Sequence, residues 1–253
     1  MQVNFGGFVP LSTVDWPGRA VCTVFLRGCP VRCHYCHNRD LQAGDDRRDT
    51  EEIIRLIGST RMVVSGVVFS GGEPTMQKDA LVALAEASKK MGLFVGLHTN
   101  GVYPETLREL IGKQIVDRIA LDIKATWEQY PNLLKVRPET TGRIRESLAL
   151  CREAYADGRL PGFEVVTTIF RGRENDVPVI AREAEGVDFV LQQGVEGMIP
   201  PLSFDEIKRI ADRLNRPVKI RTREDGEVVY DKNRIIIAES IVLTDIMQAR
   251  RNT

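Results

Sequence analysis

The chain has no apolar run long enough to cross a bilayer, which argues against a helical membrane anchor. It has no net charge. Lys plus Arg and Asp plus Glu each number 35, so no general attraction to nucleic acid or to an anionic surface is encoded. The local pairs Arg47-Arg48 and Arg250-Arg251 read as solvated surface. No signal pattern, low-complexity tract or internal repeat is visible. Cysteine is scarce and odd in number, with 5 in 253 residues. Together with the missing signal, this argues against a secreted disulfide scaffold and points to a reducing cytoplasm. A second C-x-x-C pair is also missing. That speaks against auxiliary clusters and against a zinc site built from two separated pairs.

What is present is a dense cysteine loop. Cys29, Cys33 and Cys36 follow a C-x3-C-x2-C spacing, with Tyr35 just before the last cysteine. Three thiolates so close in sequence can serve one small metal centre. They are one short of the four ligands of a closed cluster or structural zinc site. On spacing alone two readings stay open: an iron–sulfur cluster with one free position, or a zinc ion that recruits His34 or His37. Cys22 and Cys151 fall within apolar patterns and read as buried small hydrophobes.

The order of elements is that of an α/β protein. Strands are expected at 20–27, 63–69, 93–98, 116–123, 163–170 and 187–193. Helices are expected at 50–61 with Thr50 as N-cap, 77–91, 104–113, 140–156, 177–185 and 204–214. Continuously apolar strands alternating with helices indicate parallel βαβ units, about six of them, forming a partial barrel or open sheet. Functional residues then belong at the C-terminal strand ends. The unusual motifs all fall there: the cysteine loop, Ser70-Gly71-Gly72-Glu73-Pro74, Thr99-Asn100-Gly101, and Asp122 with Lys124.

Taken singly, those motifs have ordinary readings. Ser70 to Pro74 is a glycine turn before a helix. Thr99 to Gly101 is a turn, and Asp122 with Lys124 is a surface ion pair. Asp15-Trp16-Pro17-Gly18-Arg19 is a proline–glycine turn ahead of the first strand.

Taken together, they resemble the radical S-adenosylmethionine (SAM) enzymes. The resemblance rests on the C-x3-C-x-aromatic-C loop followed, in the next βα loop, by Gly-Gly-Glu-Pro, and covers roughly residues 5–215. It implies a partial (β/α)6 TIM-type barrel. It implies a [4Fe–4S] cluster on Cys29, Cys33 and Cys36 whose open iron is chelated by SAM, and SAM contacts from Tyr35, Ser70, Gly71, Gly72 and Glu73. The runs Asp15-Trp16-Pro17-Gly18, Cys36-His37-Asn38 and Thr99-Asn100-Gly101 are similar to those of glycyl-radical-activating enzymes. The group resembled most is the activating proteins of anaerobic ribonucleoside-triphosphate reductase in their longer form, together with pyruvate formate-lyase activating enzyme.

In that group Thr99, Asn100, Asp122 and Lys124 would lie at the SAM, and Asp15, Trp16, Gly18 and Arg19 near the partner's glycine loop. The resemblance also implies a flavodoxin- or ferredoxin-type electron donor. One departure is His98, where much of the group has an acidic residue that helps hold a monovalent cation. An imidazole is a poor ligand for such an ion, so His98 is expected at SAM or substrate instead.

After residue 215 the alternation stops. Short strands are expected at 217–223, 227–230 and 235–239, with turns at Asp225-Gly226 and at 231–233. The expected organisation is a barrel over 1–215 and a β-meander over 216–253 packed on the same domain.

Overall fold

A computed structural model describes residues 1–232 and, as strand backbone, 234–236. The chain opens with β1 (Gln2–Ser12), β2 (Val21–Leu26) and β3 (Arg47–Asp49), followed by α1 (Thr50–Thr60). It continues with β4 (Gly66–Gly71), α2 (Lys78–Lys90), β5 (Phe94–Thr99), α3 (Pro104–Gly112) and β6 (Arg118–Asp122). Then come α4 (Tyr130–Leu134), α5 (Pro138–Ala156), β7 (Gly162–Ile169), α6 (Val177–Glu183), β8 (Asp188–Gln193) and α7 (Phe204–Ala211). The described chain ends with β9 (Val218–Thr222), β10 (Gly226–Asp231) and β11 (Arg234–Ile236).

All described strands join one 11-stranded sheet in the order β11-β10-β9-β8-β7-β6-β5-β4-β2-β1-β3. From β2 through β9 each neighbouring pair is parallel. The sheet does not close, because β3 and β11 are its edges. The expected six βα units are present as an open partial barrel. Strands 217–223 and 227–230 are also found, but β9 pairs parallel with β8 as well as antiparallel with β10. The first strand of the expected meander is thus also the next strand of the barrel sheet. Positions 237–239 of the last expected strand lie outside the described residues, as do Arg250 and Arg251.

Helix α1 begins one residue earlier in its capping than expected. Asp49, not Thr50, is the N-cap, its carboxylate accepting from the Glu51 amide, while Thr50 is already helical and buried. An Asp at this place also favours the positive end of the helix dipole. Besides the short edge strand β3, two elements were not anticipated. One is β1, whose alternating Val3 and Phe5 are interrupted by Gly6, Gly7 and Pro10; it pairs antiparallel with β2 through two irregularities. The other is α4, only five residues long.

The apolar core lies between the sheet and its helices. Val67, Phe69, Val95, Leu97, Ile119, Leu121, Val165 and Leu191 meet Leu81, Leu84, Leu107, Leu110, Ile144, Leu148 and Ile207, all buried. Each such side chain contributes about 1.5–3 kcal/mol. The other face of the same strands is different. Its apolar part is Val68 on β4 and a small cluster of Ala120, Val166 and Val190, and its remaining side chains include His98, Arg118, Asp122, Glu164, Thr168, Gln192 and Arg221. The interior of this barrel is therefore largely polar.

Candidate active site

One cavity of about 260 Å³ opens at the C-terminal ends of the strands. Cys29, Cys33 and Cys36 line it, with Tyr35, Ser70, Gly71, Gly72, Glu73, His98, Thr99, Asn100, Asp122 and Lys124. Every residue expected at a cluster or at SAM is thus brought to one place.

The cysteine loop is held by backbone contacts on both sides. Gly28 N–H donates to Leu41 O (2.7 Å), Cys29 N–H to Gln42 O (3.2 Å), and Glu73 N–H to Gly28 O (2.7 Å). The close approach of the Gly71-Gly72 loop requires glycine. A Cβ on Gly72 would stand 2.2 Å from Gly28 O, and one on Gly71 2.4 Å from Leu26 O. Gly71 also has φ +123, in the region other residues avoid. The result is a backbone cradle beside three thiols.

Glu73 is fully buried. Its Oε1 accepts from Thr75 N (3.0 Å), Thr75 Oγ1 (2.5 Å) and Thr99 Oγ1 (2.7 Å), and its Oε2 from Asn100 N (2.7 Å). Burial pushes its carboxyl up from the ordinary range, against these donors. Much of the acceptor capacity expected to face a ligand is therefore spent on the protein itself. Glu73 ties the Gly71-Gly72 loop to the Thr99-Asn100 loop, and Oε2 retains acceptor capacity. Asn100 continues the link, its Nδ2 lying 3.6 Å from Cys29 Sγ.

Burial pushes the Cys29 thiol up to about 12 and raises that of Cys33. Free thiolates are therefore disfavoured here, whereas a bound metal deprotonates its thiols outright. Among the described residues no three Cys, His, Asp or Glu side chains converge as the ligands of a single ion do. All three thiols line the same cavity, a donor set that suits a cluster taking one thiolate per iron.

Lys124 Nζ pairs with Asp122 Oδ2 at 2.8 Å. Burial works against the Lys124 charge, but Asp122, Tyr35 and Cys33 outweigh it and hold the ammonium well above its ordinary value. Tyr35 is buried, its ring 4.5 Å from that of Phe170, and its hydroxyl has no hydrogen-bond partner. An orphaned buried hydroxyl on a residue that lines this cavity is the kind of group a bound ligand satisfies. The residues present thus fit a thiolate-held cluster with a small polar ligand beside it.

The loop expected at a partner stands outside the cavity lining. Asp15, Trp16, Gly18 and Arg19 do not line the cavity. Trp16 sits where a Cβ on Gly96 would be, 2.9 Å from its ring, on the same strand face as His98. Arg19 and Arg118 lie over Trp16 at 5.2 and 5.4 Å. Asp15 O meets His98 Nε2 at 2.9 Å, and Asp15 Oδ2 accepts from Thr23 Oγ1 at 2.7 Å. This segment floors the barrel beneath the cavity. Because a carbonyl only accepts, His98 Nε2 carries the proton. Burial, then nearby Arg118, holds the imidazole below its ordinary value, hence neutral.

Several cavity residues carry no expected contact to SAM: Val31, His37, Asn38, Gln42, Ala120, Val166, Thr168, Gln192 and Arg221, of which His37 is expected only as an alternative zinc ligand. His37 and Asn38 belong to a run already noted as a motif. Thr168, Gln192 and Arg221 have no motif, and the signal that finds them is strand alternation with Val166 and Val190. Beneath them lies a buried ion network. Glu164 accepts from Arg118 Nη2 (2.5 Å) and Arg221 Nη2 (3.2 Å), with Lys219 Nζ at 3.6 Å. Lys219 also pairs with Asp188 (2.7 Å), and Arg221 with Glu227. Burial works against the Glu164 charge, but Arg118, Arg221 and Lys219 outweigh it and hold its carboxyl below the ordinary range.

The radical SAM superfamily profile matches residues 23–180, and the chain belongs to that superfamily. The superfamily's cofactors are a [4Fe–4S] cluster and SAM. Among its relatives is a protein of Methanocaldococcus jannaschii that carries the provisional name of glycyl-radical enzyme activating enzyme. It is 32% identical over 245 residues, covering 93% of this chain and 96% of that protein. The pyruvate formate-lyase 1-activating enzyme of Escherichia coli is 32% identical over 152 residues, 56% of this chain and 61% of its own length. Among solved structures, TYW1 with a lysine-pyruvate adduct bound aligns with a TM-score of 0.60 at 16% identity over 86% of this chain and 82% of that chain. Streptococcus suis SuiB bound to S-adenosylmethionine aligns with a TM-score of 0.56 at 16% identity, over 74% of this chain and 44% of that chain. These two share the fold. No helix among the described residues is long and apolar enough to cross a membrane.

Proposed function

We propose that the protein activates a glycyl-radical enzyme, with anaerobic ribonucleotide reductase as the partner. The observation that supports this most is the convergence of three thiols, the Gly71-Gly72 cradle and the Glu73–Thr99–Asn100 lock on one cavity. Cys29, Cys33 and Cys36 would hold the cluster, and Asn100 would steady the Cys29 thiolate by its 3.6 Å contact. Held there, such a cluster would supply the single electron that cleaves SAM to methionine and a 5′-deoxyadenosyl radical, and the atom removed would be a Cα hydrogen of one glycine of the partner.

The chain's own residues bind and position. Gly71 and Gly72 present backbone to the amino end of SAM. Glu73, mostly committed to Thr75, Thr99 and Asn100, holds that backbone in place and offers Oε2 to the ammonium. Lys124, kept protonated by Asp122, faces the carboxylate. Tyr35 lends an unpaired hydroxyl. Holding the reactants in place is the main contribution asked of the protein. A flavodoxin- or ferredoxin-type protein would deliver the electron, in the cytoplasm. Asp15 and Trp16 would act on the substrate segment through the cavity floor.

The test is incubation of reconstituted, reduced protein with SAM and candidate glycyl-radical enzymes, read by electron paramagnetic resonance. A glycyl doublet on the partner is expected. Formation of 5′-deoxyadenosine with no doublet on any candidate would favour instead a radical SAM enzyme acting on a small molecule, RNA or peptide. One zinc per chain without sulfide would overturn both.

A further inference from the structure

The cavity has a second wall that the motifs leave unassigned. Thr168 pairs with Gln192 across β7 and β8, and Gln192 with Arg221 across β8 and β9. The three form one row over three parallel strands, about 10 Å long at the usual ~4.8 Å strand spacing. All three line the cavity.

This row has unused hydrogen-bonding capacity. Neither the Thr168 hydroxyl nor the Gln192 amide has a partner among the described residues. Arg221 spends Nε and Nη2 on Glu227 and Glu164, leaving Nη1. The row therefore offers donors at all three positions and acceptors at two. It offers no spare charge. Three cations (Arg118, Lys219 and Arg221) face three carboxylates (Glu164, Asp188 and Glu227) in the network beneath it. A carboxylate or phosphate ligand would have to compete with Glu227 and Glu164 for the Arg221 fork. A neutral ligand with alternating N–H and C=O groups would not. Between this row and His98 the cavity is lined by the short side chains of Ala120 and Val166 and by the Asp122–Lys124 ion pair, whose charges cancel, so this stretch too favours a slender neutral chain.

We propose that Thr168, Gln192 and Arg221 are the substrate wall, and that they hold the main chain of a neutral, extended glycine-bearing peptide segment. The proposal rests on the activase reading and states how that partner is gripped. Recognition is by backbone amides, so the residues flanking the glycine matter less than its freedom from side chains.

The probe is acetyl-Ala-Ala-Gly-Ala-Ala-amide with a dideuterated glycine, beside a version ending in a free carboxylate directly after the glycine. Peptide binding to the protein is measured by calorimetry, and deuterium transfer into 5′-deoxyadenosine by mass spectrometry with the reconstituted, reduced protein. Thr168→Val and Gln192→Leu remove unpaired polar groups for near-isosteric apolar ones, so neither threatens the fold. Each is expected to weaken the blocked peptide about five- to tenfold, the loss of one hydrogen bond. Arg221→Lys keeps the charge but loses the fork and should weaken it similarly. The blocked peptide should bind better than the free carboxylate.

Unchanged peptide affinity in all three variants overturns the proposal. So does a rise in the SAM KM without a change for peptide, which would give this wall to the cofactor, and so does wild-type protein that binds no peptide. Peptide binding that the variants weaken, without deuterium transfer, keeps the wall and sinks the activase reading. Transfer that the variants leave untouched does the reverse.

Discussion

The two walls of the cavity are built in opposite ways. On the β2, β4, β5 and β6 side, the functional groups sit at the last strand residues and on the loops just past them, and glycines let backbone meet backbone at distances no side chain would permit. On the β7, β8 and β9 side they sit within the strands, as one polar row resting on buried ion pairs. The loop wall is held by short backbone hydrogen bonds and by one carboxylate, Glu73. The strand wall is held by a balanced set of charges around another carboxylate, Glu164. Geometry dominates in the first and electrostatics in the second, so substitutions should separate them.

The largest effect belongs to the loop wall. Cys33→Ala should abolish cluster assembly, seen as loss of the visible sulfide-to-iron absorption after anaerobic reconstitution, and with it all SAM cleavage. Because the strand wall does not depend on the cysteines, the thermal midpoint of the metal-free protein should stay near that of the parent. A collapse of that midpoint would mean the two walls are one cooperative unit.

Next is Glu164→Gln on the strand wall. It leaves Arg118, Arg221 and Lys219 with one counter-charge fewer inside the barrel. Removing one partner of a buried pair costs about 3–5 kcal/mol, read as a lower urea midpoint. The sign with pH follows. Glu164 is held below the ordinary carboxylate range in the fold, so its contribution is full above ~4.3 and is lost as pH falls through its folded value. The parent should lose stability there and the variant should not. A penalty below about 1 kcal/mol would show that the network is solvated rather than structural.

Smaller still is Glu73→Ala. Four donors lose their acceptor, at about 1–3 kcal/mol in stability for the buried groups left unpaired. SAM affinity should fall, since the Gly71-Gly72 loop loses its tie to Thr99 and Asn100. The cluster should remain. Loss of the cluster instead would show that Glu73 supports the cysteine loop through the Glu73–Gly28 backbone contact rather than the ligand.

The loop wall was legible in the sequence because its chemistry is written in consecutive residues. Cys29 to Cys36, Ser70 to Glu73 and Thr99 to Asn100 each announce themselves, and their place at strand ends follows from the βα alternation. The strand wall was not, because Thr168, Gln192 and Arg221, 24 and 29 residues apart in sequence, meet only through the register of three strands. Arg221 was hidden further, since β9 reads as a meander strand until its parallel pairing with β8 is seen. Glu73 was legible as a site residue but not as a lock, because the hydroxyl and amide that occupy it come from 26 and 27 residues away. Asp15 and Trp16 were legible as a turn, but their place at the barrel floor depends on Gly96 lacking a side chain.

His98 lies on β5, facing the barrel interior over Asp15, and its titration sharpens the comparison most finely. The groups around it are Asp15, Arg118, Asp122 and Glu164. Burial and Arg118 hold it neutral in the fold, below the ordinary histidine value near ~6.5. The unfolded chain therefore binds more protons as pH falls below ~6.5, so stability is full above that value and declines through the interval down to the folded one. His98→Gln keeps a donor for Asp15 O and removes the titration. Urea midpoints of the metal-free protein at pH 5.5 and 7.5 should differ less in the variant than in the parent. Equal differences would mean that the imidazole is not shielded inside the barrel and that water reaches the barrel floor. Because Glu164 loses its charge only at lower pH, this interval reads His98 without the strand wall's own titration.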